Sequence, residues 1–436
     1  MDSMTQTQHL NIGVLIYGCG HHQAAWRMPH SSIERIGDIT YYQSLAKIAE
    51  QGLFDAIFFA DNQSFPANSK SDMPAFWFDP LVNLTAISQV TQHVGLVATI
   101  SSTFSNPFTA ARQLLSVDHI SQGRAGWNLV TSMTDLEAAN HGMDHLPEHE
   151  ARYKKADEFA QVMNRLLESW SVDDFLHNKE DNSLINNSAI NAIHHKGSHF
   201  SVQGPLTTPS SPQGKPIAMQ AGASDPGIEL ATKYADAVYA VAWNFDQATN
   251  FKKRLNQKLI QQGKSENSLK VFPGLVTYVG QTYEEAYAKK QQLDKSLEVD
   301  TALNQLEFFI RQDCHNWDLD ELVPSLPPVE SFNGPKGRYQ TVLEIIKDKN
   351  PTLRELLGYL SAGGGHLTLI GTPKDIVDEM ERWFNEGIAD GFNLMPPVFP
   401  NSLQDFVDDI VPELQKRGLY RTEYEGKTFR ENIGIH

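Results

Sequence analysis

The strongest constraint on this chain is a sustained alternation between short apolar runs and longer amphipathic stretches. Residues 11–17, 54–60, 94–99 and 124–130 read as strands, and 41–51, 79–93 and 107–120 between them carry apolar residues at helical spacing. In 41–51 the apolar stripe is Leu45, Ile48 and Ala49, and Gly52 ends it. Strands separated by helices are parallel, because parallel neighbours need a crossover too long for a turn. A helix over 150–170 comes next. Residues 171–214 are rich in Asn, Asp, Ser and Pro with little periodicity, and read as an insertion. The alternation resumes with strand 216–220, helix 227–234, strand 237–242, helix 246–261 and strand 271–279. A mixed stretch over about 301–365 reads as a second insertion, and helix 373–385 and strand 390–395 close the series. Eight parallel strands predict an α/β fold, a (β/α)₈ TIM barrel with insertions in which residues 1–436 form one domain. The pattern by itself fits a doubly wound open sheet equally well.

Charge narrows the partners. Lys and Arg number 36 against 53 Asp and Glu, for a formal net charge of −17, which repels phosphate backbones and anionic lipid alike. Nucleic acid and membrane are therefore not expected as partners. Only Cys19 and Cys314 occur, too few and too far apart for a disulfide framework or a CxxC site. The first ten residues lack a basic, apolar leader, and no run approaches the roughly 20 apolar residues of a membrane span. A cytoplasmic location is expected.

In such a barrel the chemistry sits where strands end. The runs terminate in Asp61 and Asn62; in Thr99, Ser101, Ser102 and Thr103; in Asn128, Thr131 and Ser132; and in Gln220, Gly222 and Ser224. These residues give a rim of hydrogen-bonding groups with little fixed charge, suited to a neutral, polar heterocycle. In the turn 221–227, Gly222 lets backbone approach a ligand, Ser224 or Asp225 can cap, and Pro226 suits a first helical position. Free amides at that helix start would face a phosphate, although an ordinary strand-to-helix turn has the same sequence. There is no GxGxxG or GxxxxGK[ST] loop. His149 and Tyr153, four apart, share one helical face and can reach one anion; a solvated face is the plainer alternative. His21 and His22 follow the first strand, where an imidazole can exchange a proton. No ligand spacing supports a metal site. Trp26, Phe76, Trp77, Phe78, Trp127 and Trp243 can wall a pocket over a flat ring or simply fill the core.

Longer stretches carry a resemblance. They include Gly20 to Pro29, FDAIFFAD ending at Asp61, SSTFSNPFTAARQLLSVDHISQGRAGWNLVTS from Ser101, HEARYKKADEF from His149, HKGSHFSVQGPL from His195 and SPQGKPIAMQAGAS ending at Ser224. IGTPKDIVDEM from Ile370, DGFNLMPP from Asp390 and VPELQKRGLYRTEYEGKTFRENIG from Val411 follow. Together they resemble the bacterial luciferase-like flavin monooxygenases, in the branch with nitrilotriacetate, EDTA, dibenzothiophene-sulfone and long-chain alkane monooxygenases. The resemblance implies a luciferase-like TIM barrel rather than an open sheet. It also implies reduced FMN (FMNH2) as a diffusible substrate, a separate NAD(P)H:flavin reductase as its supplier, and O2 added at flavin C4a as a hydroperoxide that oxygenates a small molecule. A homodimer or homotetramer is expected on the same ground. Carried over by position, Asp61, Thr99, Asn128 and Ser132 would contact the isoalloxazine and ribityl chain, and His149, Tyr153 and Ser224, with backbone near Gly222, the phosphate. His22, or failing it His21, would stand at the flavin's reactive face. Met133 departs from the alkane-oxidising member, which has a His there. A deazaflavin-dependent dehydrogenase and a non-catalytic flavin-binding protein are the alternative readings, and the substrate is left open.

Overall fold

In the computed structural model, which describes residues 9–65, 73–332 and 336–435, the apolar runs pair as expected into one parallel sheet that closes on itself. Strands β1 (Asn11–Leu15), β2 (Ala56–Phe59), β3 (Gly95–Ser101) and β4 (Ala125–Val130) lie side by side. The insertion after them forms two small antiparallel hairpins, β5 (Phe175–Asn178) with β6 (Ser183–Ile185) and β7 (His195–Lys196) with β8 (Ser201–Val202). The barrel continues through β9 (Ile217–Ala221), β10 (Ala237–Ala240) and β11 (Lys270–Val279). One further strand, β12 (Leu367–Gly371), precedes β13 (Gly391–Leu394). β13 pairs with β11 on one side and β1 on the other, so eight strands make a closed ring.

The sequence reading had no strand over 367–371, and this is a correction. β11 is ten residues long, whereas β13 covers only its middle, pairing Gly274 and Leu275 with Asn393 and Leu394. The projecting half of β11 would be a bare edge, and β12 pairs with it from Leu275 to Val279. Residues 1–8, where no leader is expected, lie outside the described residues.

Around the ring run α1 (Ile39–Gln51), α2 (Pro80–Ser88), α3 (Pro107–Ile120), α4 (Asp135–Asn140), α5 (His149–Leu167), α6 (Asp225–Tyr234) and α7 (Phe245–Gln261). The second insertion is largely helical, with α8 (Tyr283–Asp294) leading into α9 (Val299–Ile310), α10 (Lys336–Lys349) and α11 (Leu353–Leu360); α12 (Pro373–Asn385) completes the layer. Caps explain several starts. Asp79 and Asn106 accept from the first free amides of α2 and α3, and a proline follows each, where its missing N–H costs nothing. Among the described residues no helix is long and apolar enough to cross a membrane.

The amino-terminal end of the barrel is plugged. Phe429 lies buried with Ala56, Val97, Ile217, Met219, Ala237 and Phe272. A Cβ on Gly95 would fall 2.4 Å from its ring, so only glycine leaves that room. The same end carries a repeated polar device. Asp55, Asp236 and Asp390 each precede a strand and accept the backbone N–H of a residue on the neighbouring strand: Ile12 at 2.6 Å, Ala218 at 2.9 Å and Val271 at 2.9 Å. Each aspartate also meets a cation, Arg421, Arg430 or Lys252 respectively.

Candidate active site

At the carboxyl end the residues of β2, β3, β4 and β9 converge. Asn128 donates through Nδ2 to Thr99 Oγ1 at 3.1 Å, and its carbonyl Oδ1 is buried without a partner. Ser101 and Ser132 share a 2.8 Å hydrogen bond, with Ser132 held at a φ of 58°. Asp61 accepts from Gln63 at 3.1 Å; burial lifts its carboxyl to about 6 against that bond, helped by the carboxylates of Asp79 and Glu137. A cavity of about 200 Å³ is lined by Asp61, Thr99, Ser101, Asn106 and Gln113 among others. A larger cleft, about 580 Å³, lies outside the ring between α2 and α3 and touches none of the predicted site residues. Ser102 and Thr103 donate instead to the carbonyls of Val130 and Thr131 and tie the two strand ends together.

The phosphate candidates come from two distant segments, and the fold joins them. Ser224 caps α6, accepting from the Gly227 N–H at 3.2 Å, so the helix starts one residue before Pro226. A Cβ on Gly222 would stand 3.4 Å from the Tyr153 hydroxyl and 2.6 Å from Gln220 Nε2. Tyr153 on α5 thus reaches the β9–α6 turn. His149, one turn earlier, has its ring 4.8 Å from that of Tyr153, and its pKa is lowered by burial and by Arg152. Arg152, not anticipated from the sequence, is half-buried there with its Nε unpartnered, and its position between His149 and Tyr153 was the available signal.

The two histidines after β1 separate. His22 is 0% exposed. Its Nδ1 accepts from the Ala24 N–H, and its Nε2–H points at Asp294 Oδ1 (3.1 Å) and Ser361 Oγ (2.8 Å), whose own hydroxyl donates to the Gly358 carbonyl. Both ring nitrogens are therefore engaged where α8 and α11 pack against the barrel. The dihedrals of Gly18 and Gly20, both at positive φ, decide which histidine turns inward. His21 bonds through Nε2 to the Leu15 carbonyl at 2.8 Å; a carbonyl only accepts, so that nitrogen carries the proton. Its Nδ1 lone pair has no partner among the described residues. Burial lowers its pKa to about 4, and it is neutral at pH 7.

Of the expected aromatic wall, Phe76 stands edge-on to Tyr17, which stacks on His21 at 5.3 Å. Trp127 faces outward into the helix layer beside Phe159, and Trp77 is largely exposed. Across the mouth, over β11 and β13, lie two residues the sequence reading missed, Arg338 and His366. The run of three glycines before His366 was the signal for a tight turn there.

A flavin mononucleotide fits the donors and acceptors of this rim: an orphaned amide oxygen and hydroxyls line the strand ends, and a glycine cradle opens beside Tyr153 and a capped helix start. Comparison with known proteins gives the family. A family model described as Luciferase-like monooxygenase matches residues 16–390. N-acetyl-S-(2-succino)cysteine monooxygenase of Bacillus subtilis (strain 168) is 37% identical over 432 residues, 99% of this chain and 98% of its own. Nitrilotriacetate monooxygenase component A of Aminobacter aminovorans is 37% identical over 444 residues, again 99% and 98%. The solved structure of riboflavin lyase with modified FMN and substrate riboflavin has a TM-score of 0.85 at 25% identity, covering 98% of this chain and 96% of that one.

Proposed function

Since this chain belongs to the luciferase-like monooxygenase family, we propose that it takes reduced FMN at the rim of β2, β3, β4 and β9 and oxygenates a small organic substrate beside it. It is a flavin-dependent monooxygenase. The observation that carries FMN as the flavin is the meeting of Tyr153 with the Gly222–Ser224 turn, which offers a phosphate two side-chain hydroxyls and the Asp225 amide at the helix start. A separate NAD(P)H:flavin reductase supplies the reduced flavin; a relative named as component A supports that arrangement.

When bound, reduced flavin supplies the electrons and activates O2. The rest falls to the chain. Tyr153, the Ser224 hydroxyl and His149 hold the phosphate, while Thr99, Asn128 and Ser132 orient the polar ring edge and ribityl chain. Asp61, its carboxyl raised by burial, can hold a proton close to neutrality. His21, neutral and fixed in one tautomer by Leu15, presents a lone pair at Nδ1 to accept a proton from the reacting centre. Tyr17 and Phe76 exclude water around it. His22 with Asp294 positions the loop that carries His21. The substrates named in the two relatives, N-acetyl-S-(2-succino)cysteine and nitrilotriacetate, are the first to test.

Titration with FMN tests the phosphate site. Ser224→Ala and Tyr153→Phe are each expected to weaken binding about tenfold, the loss of one charge-assisted hydrogen bond, with turnover at saturating flavin within about twofold of wild type. Unchanged affinity in both overturns the assignment. Oxygen uptake with reduced FMN, with and without those substrates, separates a monooxygenase from a deazaflavin-dependent dehydrogenase or a simple flavin carrier.

A further inference from the structure

Across the mouth from the flavin rim the chain half-buries a cation without an acid. Arg338, on α10, donates from Nη1 to the Gly364 carbonyl at 2.6 Å, with the Gly363 carbonyl at 3.5 Å, and stacks over Phe309 at 5.6 Å. These are its only polar partners among the described residues. Burial lowers its pKa to about 10, and no carboxylate lies near enough to oppose that. Asp294, which lies against Gly358 of α11, is already engaged by Lys290 and His22. The interior guanidinium of Arg124 meets five oxygen acceptors, whereas one left with unused N–H groups is costly unless an anion comes to it.

The surroundings are built around this group. Gly363, Gly364 and Gly365 all have φ between 66° and 91°, a conformation that only glycine adopts three times running without strain. That turn aims two carbonyls at Arg338 and delivers His366 onto β11, where a Cβ on Gly274 would fall 2.2 Å from the ring. His366 Nδ1 is buried with no partner. Burial, Arg338 and His21 all push its pKa well below the usual range, so the ring is neutral and offers one N–H. In a chain of net charge −17, Arg338 and His366 form a local pair of donors with no acid between them, and the neutral His21 lies beside His366. They stand over β11, β13 and β1, opposite the flavin residues of β2, β3, β4 and β9 in the ring.

We infer that Arg338, with His366 beside it, is the docking point for a carboxylate of the substrate. The planar fork of a guanidinium matches a carboxylate through two parallel N–H···O bonds, and partial burial strengthens such a pair. A molecule anchored there extends across the mouth toward the flavin rim, with His21 between the two. The inference rests on the reading of this mouth as the chamber of a monooxygenase, and it narrows the substrate to small carboxylates.

The test is a calorimetric titration of the full chain with succinate and with succinamide, run beside a titration with FMN. Wild type is expected to bind succinate at least tenfold more tightly than the uncharged diamide. Arg338→Gln is expected to lose that preference, with about a tenfold drop in succinate affinity and FMN affinity within twofold of wild type. Arg338→Lys keeps the charge without the fork and is expected to fall between. Equal binding of the two compounds by wild type, or binding of neither, overturns the inference whether or not the variants fold. So does an Arg338→Gln protein that binds succinate as wild type does. Discrimination against the diamide in a chain that fails to bind FMN sustains the carboxylate site and defeats only the flavin reading.

Discussion

Two arginines at opposite ends of the barrel differ in what surrounds them. At the amino-terminal end Arg124 is buried and makes five hydrogen bonds, to the carbonyls of Ser121, Val94, Ser88 and Thr91 and to the Thr91 hydroxyl. At the carboxyl end Arg338 has one short bond and one long one. The same holds for neighbouring groups. Asp55, Asp118, Asp236 and Asp390 at the closed end each accept a backbone N–H from beside a strand, whereas Asn128 Oδ1 and His366 Nδ1 at the open end have no partner. A buried polar atom without a partner costs about 1–3 kcal/mol, so a fold retains such atoms where something else will meet them. Among these named groups, those at the closed end are committed to stability and those at the open end are left to a ligand.

The largest test of this contrast is Asp55→Ala. The substitution leaves the buried Arg421 guanidinium and the Ile12 N–H without their acceptor, and a loss of about 3–5 kcal/mol is expected in urea unfolding. A loss below about 1 kcal/mol would break the contrast at its strong end. At the open end Asn128→Leu removes an oxygen that has no partner, so stability is expected to stay within about 1 kcal/mol of wild type. FMN affinity is expected to fall about tenfold. If the variant instead unfolds while any residual folded fraction binds FMN normally, Asn128 belongs with the structural groups.

The strand order was readable in the sequence because it depends on local pattern. Apolar runs of strand length, amphipathic helices between them, and capping Asp or Asn followed by Pro all carry their physics in adjacent residues. The rim residues Asp61, Thr99, Asn128 and Ser132 were legible for the same reason: each is a polar side chain that ends an apolar run. The open end over β11 and β13 was not. β12 is only half-buried and follows a glycine turn, so its apolar signal is weak. Arg338 and His366 lie in a stretch without periodicity, and what makes them chemical is the lack of an acid in three dimensions, which no spacing encodes. The choice between His21 and His22 turned on two glycine dihedrals. Helix α2 ends at Ser88 rather than at residue 93, and the turn that follows feeds the Arg124 cage through Ser88 and Thr91.

The finest form of the contrast sets two aspartates with the same displaced pKa against each other. Burial raises both Asp61, at the open end, and Asp118, at the closed end, to about 6. In either case the folded chain keeps a proton that the unfolded chain, titrating near the ordinary value of 3.8, has already released. Stability is therefore full below about pH 4, falls as pH rises to about 6, and is level above that. Asp118 offsets this loss with acceptor bonds from the Ala125 N–H, Gln213 and Ser211, whereas the side-chain bond to Asp61 comes from Gln63. Asp61→Asn is thus expected to gain about 1 kcal/mol at pH 7, after discounting for its partial exposure, and to gain nothing at pH 4. Asp118→Ala is expected to be destabilised at both pH values. Urea unfolding of the two variants at the two pH values reads this directly. An Asp61→Asn protein destabilised at pH 7 would mean that Asp61 holds the rim together as Asp118 holds the base, and the division between the ends of the barrel would have to be drawn closer to the flavin.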